Sequence, residues 1–85
     1  MERTVKVASA QGLHARPAQM FTKAVKETGA KVTVGKPGTD KQVNAASLLS
    51  VMGLGVKGGE EVVLASDDAA ALDKLAAMLE TDMDA

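Results

Sequence analysis

The sequence predicts an α+β domain with helices covering one face of a sheet. Three observations carry this. Four short stretches are rich in valine, most of them alternating apolar with polar residues; three others place apolar residues at helical spacing; and turn-forming residues separate them. Their order is β-α-β-β-α-β-α, and alternating strands need helices on one sheet face to bury their apolar side.

Thr4-Val5-Lys6-Val7-Ala8 alternates and reads as a strand with Val5 and Val7 facing inward. Ser9-Ala10-Gln11-Gly12 is a loop. From Ala15 to about Glu27 the pattern is helical, with Pro17, Phe21, Ala24, Val25 and Thr28 along one face, and Gly29 ends it. Lys23 and Lys26 fall three apart on another side. Ala30 to Val34 is a second alternating strand, Gly35 to Asp40 a turn-rich stretch, and Lys41 to Asn44 a short third strand, together a hairpin. The glycines of that turn lack the Gly-Lys-Ser/Thr ending of a phosphate-binding P-loop. Ser47 to Met52 is a short helix, capped by Ser47 or by Asn44. Gly53 to Gly59 holds four glycines in seven residues and reads as a flexible connection. Glu60 to Ala65 contains Val62-Val63-Leu64, the most apolar and hence a central strand. Asp67 or Asp68 caps a last helix with Ala69, Leu72, Leu75, Ala76 and Leu79 as its stripe, and Thr81 to Ala85 is expected to fray. One domain spanning residues 1–85 is expected, with no repeat or linker.

Composition narrows the function. With no cysteine and one histidine, disulfides and thiolate chemistry are excluded, and neither a structural zinc nor another metal or cofactor is expected. No apolar run approaches the roughly 20 residues of a membrane span, and no signal-peptide pattern is present, so no membrane insertion is expected and a reducing cytoplasm fits. Charge is uneven: residues 1–57 carry nine Lys or Arg against three acids, a balance of +6, and residues 58–85 one lysine against eight acids, −7. The basic part would attract an acidic partner. Without Tyr or Trp to stack on bases, nucleic acid is not the expected one.

The only histidine lies in Gly12-Leu13-His14-Ala15-Arg16-Pro17-Ala18, at a loop-to-helix junction. Proline is tolerated in the first helical turn, where the N–H groups have no intrahelical partner, which makes His14 the N-cap. Backbone amides at a helix N-terminus favour phosphate. Imidazole is a nucleophile at neutral pH, and the Arg16 guanidinium is a second anion partner. A nucleophile inside an anion site points to phosphoryl transfer through a phosphohistidine; a lone histidine at the surface is the plainer reading, and the motif alone leaves both open.

This heptapeptide closely resembles the active-site motif of the HPr family, the histidine-containing phosphocarriers of the phosphoenolpyruvate:sugar phosphotransferase system. The resemblance implies an open-faced sandwich, a four-stranded antiparallel sheet with three helices on one face. It further implies a carrier rather than an enzyme. His14 would take a phosphoryl group on Nδ1 from a phosphohistidine of Enzyme I and pass it to IIA domains of sugar permeases. The phosphate site would comprise His14, Ala15, Arg16 and Pro17, with Arg16 sharing in transfer. A second stretch, Asn44 to Gly55, is similar to the family's middle segment. There the serine matching Ser47 is phosphorylated in some members by a regulatory HPr serine kinase, and many members carry a lysine where this chain has Ala46. By the same resemblance Leu48, Leu49 and Met52 are expected partner contacts; Met20 and Lys23 are expected to join them, a solvated face being the simpler reading of Lys23, and a monomer is expected. Two other classes stand beside the sugar carrier: a paralogous carrier of a nitrogen-related regulatory phosphorelay, and a non-enzymatic regulatory binding module whose histidine is incidental.

Overall fold

A computed structural model describes residues 1–10, 12–39 and 41–81. The elements are β1 (Glu2–Lys6), α1 (Ala15–Thr28), β2 (Thr33–Gly35), β3 (Gln42–Asn44), α2 (Leu48–Gly53), β4 (Glu61–Ala65) and α3 (Ala69–Leu79). The strands form one four-stranded sheet in the order β1-β4-β2-β3, every neighbouring pair antiparallel. The apolar run Val62-Val63-Leu64 is therefore central, between β1 and β2. In register Val5 faces Val62 and Val34 faces Leu64, so the inward positions of three strands line up.

All three helices lie on that inward side. Helix α1 packs against α2 and α3, α3 crosses β1 and β4, and α2 rests on β3. Phe21, Leu64, Leu72, Leu75 and Leu79 are fully buried among Val7, Val25, Val34, Val51 and Val62. Phe21, the only aromatic, is a fully buried member of this cluster; truncating such a side chain to alanine costs about 3–5 kcal/mol. The buried face of α1 is wider than the sequence spacing suggests, because Ala18 and Thr22 join Pro17, Phe21, Ala24 and Val25. Thr22 is accommodated by donating its hydroxyl to Gln19 O at 3.2 Å.

Two strands sit off their expected positions, each for a local reason. β1 begins at Glu2 and ends at Lys6, because the pairing turns irregular there: Val7 N–H donates to Glu60 O while Val7 O accepts from Gly59 N–H, two residues opposite one, and Ala8 N–H leaves the sheet for Leu79 O, all at 2.9 Å. β2 starts at Thr33 because the end of α1 occupies the residues before it. Gly29 takes the left-handed C-cap conformation (φ 71°), and Ala30 N–H donates to Thr28 Oγ1 at 3.2 Å. Helix α3 is capped by Asp68, whose Oδ1 accepts from Ala71 N–H at 3.1 Å. Its buried stripe is Ala71, Leu72, Leu75 and Leu79, with Ala69 and Ala76 half-buried beside it. Arg3 of β1 ties to Asp73 of α3 at 3.2 Å. Of the expected fraying end, residues 82–85 lie outside the described residues, as does Asp40 of the hairpin turn. Among the described residues no helix is long and apolar enough to cross a membrane.

Candidate functional site

His14 is the N-cap of α1, extended at φ −84° and ψ −168°, and its carbonyl accepts the Ala18 N–H at 2.9 Å. Its side chain makes no capping bond to the helix. Pro17 is buried and has no N–H, so the first-turn donors reduce to the amides of Ala15 and Arg16, both exposed residues. Pro17 thus contributes to an anion site by fixing the helix start, not by a hydrogen bond. The first turn carries no acid, leaving the positive end of the macrodipole uncompensated there. The imidazole is half-buried, with Nδ1 covered by protein.

What holds His14 in place comes from a distant segment. Gly12 has φ +73°, and a Cβ there would collide with the carbonyl oxygen of Val56 and the backbone of Lys57. Leu13 N–H donates to Val56 O at 3.1 Å, and the Leu13 side chain is buried in the core. The approach is reciprocal, since a Cβ on Gly58 would strike the carbonyls of Ala10 and Ser9. Ser9 is fully buried, and its carbonyl accepts Gly12 N–H at 2.9 Å. The stretch expected to be a flexible connection is thus, in its second half, the backing plate of the histidine loop. The glycines at 55–59 are a local signal; that Gly12 and Gly58 each face the backbone of the opposite loop is not, because it depends on residues some 45 positions apart.

Helix α1 sends an exposed stripe away from His14: Arg16, Met20 and Lys23, at spacings of four and three. Helix α2 packs beside it and exposes Leu49 (83%) and Met52 (38%); Met20 is 39% exposed. Among the described residues, three of the four large exposed apolar side chains therefore lie on these two adjacent helices. Leu48 differs from its neighbours: it is half-buried and packs against the core, as does Leu54. Ser47 caps α2, its Oγ accepting from Ser50 N–H at 3.4 Å, and it is half-buried. Asn44 instead closes the turn before it, its Oδ1 accepting Ala46 N–H at 2.9 Å.

The chain matches the model of a family described as the PTS HPr component phosphorylation site over residues 1–81. It is similar to the phosphocarrier protein HPr of Streptomyces coelicolor, 53% identical over 81 residues that cover 92% of this chain and 86% of that protein. The phosphocarrier protein HPr of Haloferax volcanii is 49% identical over 84 residues, covering 95% of this chain and 94% of its own. Among solved structures, the phosphocarrier protein HPr of Bacillus anthracis superposes with a TM-score of 0.84 at 30% identity, covering 93% of this chain and 95% of that one. The open-faced sandwich with three helices on one face, the antiparallel sheet and the matches agree, and the chain belongs to the HPr family of phosphocarrier proteins of the phosphotransferase system.

Proposed function

We propose that His14 is the residue that carries the phosphoryl group, accepting it from a phosphohistidine of Enzyme I and handing it to a IIA domain of a sugar permease. The observation that carries this reading is the chain's one histidine at the N-cap of α1, with the Ala15 and Arg16 amides and the Arg16 guanidinium at the same helix end. In the transfer a lone pair on imidazole Nδ1 attacks phosphorus while the phosphorus–nitrogen bond to the donor histidine breaks, and the donor nitrogen recovers its electron pair. Phosphoryl transfer asks the protein for positioning and charge stabilisation, which two amides and one guanidinium supply. A carrier must also release its load, and a site with one arginine holds a dianion loosely enough for that.

The exposed residues Met20, Lys23, Leu49 and Met52 form the face on which partners dock, with Leu48 supporting it from below. Phosphorylation of Ser47 by a regulatory serine kinase would add charge to this face. The protein works as a cytoplasmic monomer and turns over no substrate of its own. The test is labelling by phosphoenolpyruvate and Enzyme I. One acid-labile phosphoryl group per chain is expected on the wild type, none on His14→Ala, and slower labelling on Arg16→Ala. An acid-labile label on His14→Ala would overturn the assignment.

A further inference from the structure

The contact between the two loops brings the backbone of Lys57, more than 40 residues away in sequence, against the loop that leads into His14. A Cβ on Gly12 would lie 2.6 Å from Lys57 Cα, so the Lys57 backbone runs against the chain two residues before His14. The bond from Leu13 N–H to Val56 O, at 3.1 Å, fixes the same juxtaposition next to the histidine itself. The Lys57 N–H in turn donates to Glu60 Oε1 at 2.7 Å, and that carboxylate also faces Lys36 Nζ at 4.0 Å. The backbone of Lys57 is therefore held, while its side chain is exposed and, among the described residues, enters no ion pair.

The geometry points to Lys57 as a further partner-recognition residue of the transfer reaction, meeting an acidic patch on the docking protein from the loop side of His14, while Arg16 and Lys23 meet it from the helix side. The inference rests on the reading of His14 as the transfer residue. Its partner chemistry follows from charge: no acid occurs between Ala8 and Lys26, so the surface that complements this site is acidic. A cation at the rim of such an interface acts by steering and by salt-sensitive attraction, chiefly on association. A flexible, strongly hydrated lysine suits that role better than tight phosphate binding.

Steady-state phosphoryl transfer from Enzyme I to the wild type, Lys57→Ala, Lys57→Arg and Lys57→Glu, at low and high salt and with a thermal melt of each, tests it. Lys57→Ala is expected to raise KM about two- to fivefold at low salt, the range of a single exposed ion pair, with kcat and Tm unchanged. Lys57→Glu should raise it further and Lys57→Arg restore it. All differences should vanish near 1 M salt, where the screening length falls to about 3 Å. A KM indifferent to the charge at position 57, on a wild type that is labelled normally, would overturn the inference alone. A change in kcat without salt dependence would overturn it too, by placing the ammonium on the phosphoryl group instead of the partner. An unlabelled wild type would remove this inference together with the reading of His14.

Discussion

Replacing Gly12 by alanine should damage both the fold and the transfer site, and a second glycine separates the two causes. Gly12 and Gly29 have nearly the same left-handed backbone, φ +73° and +71°. At Gly29 a Cβ would meet nothing within 4 Å, whereas at Gly12 it would meet the Val56 carbonyl and the Lys57 backbone. Gly29→Ala therefore carries only the left-handed penalty, about 1–2 kcal/mol. Gly12→Ala carries the same penalty plus the displacement of a backbone that cannot rotate away, as an overpacked site does, for about 1–3 kcal/mol more. For a domain of this size each kcal/mol lowers Tm by about 4–8 °C. Gly12→Ala should thus melt at least about 4 °C below Gly29→Ala, and about 8 °C or more below the wild type. Paired thermal melts measure this, and transfer from Enzyme I below both transitions should be slowed in Gly12→Ala only. Equal Tm losses would refute the argument that the 56–58 backbone seats the histidine loop.

Other expectations follow from the same geometry. Ser47→Asp should weaken transfer from Enzyme I, most at low salt, while Tm moves by no more than about 0.5 kcal/mol's worth, because Asp caps a helix as well as Ser does; salt-dependent kinetics beside a melt check it. Leu49→Ala, at a side chain 83% exposed, should leave stability within about 0.5 kcal/mol and raise the KM for transfer, read from urea titration and kinetics. Asp68→Ala removes the acceptor of the Ala71 N–H and should cost about 1 kcal/mol of stability with transfer unchanged, since it caps α3 rather than α1.

How far the sequence revealed this protein depended on whether a signal was local. Cap chemistry was legible: His14 before a proline-bearing turn and Gly29 after the last apolar residue of α1 act where the sequence places them, and of the two aspartates offered before α3 it is Asp68, not Asp67, that caps it. The apolar run at 62–64 gave its central place away, because a strand with neighbours on both sides has little polar surface to show. Strand ends were less legible. Val7 and Ala8 still look like strand, yet their amides bond to Glu60 and to the end of α3, partners no local pattern names. The glycine-rich stretch was the clearest failure. Glycine signals conformational freedom or close approach with equal force, and only the fold shows that Gly12 and Gly58 serve the second. Lys57 escaped for the same reason. Ranking the exposed side chains of α2 also needed the structure, which puts Leu48 half into the core and leaves Leu49 outside.

Whether His14 carries the phosphoryl group can be read from NMR of the 15N-histidine-labelled protein before and after phosphorylation with phosphoenolpyruvate and Enzyme I. With a single histidine in the chain, the ring signals belong to one residue. The account predicts that a phosphorus coupling appears on Nδ1 of His14 and disappears again when an unphosphorylated IIA domain is added. A phosphoryl signal that leaves both ring nitrogens uncoupled, or one that a IIA domain cannot discharge, would contradict it.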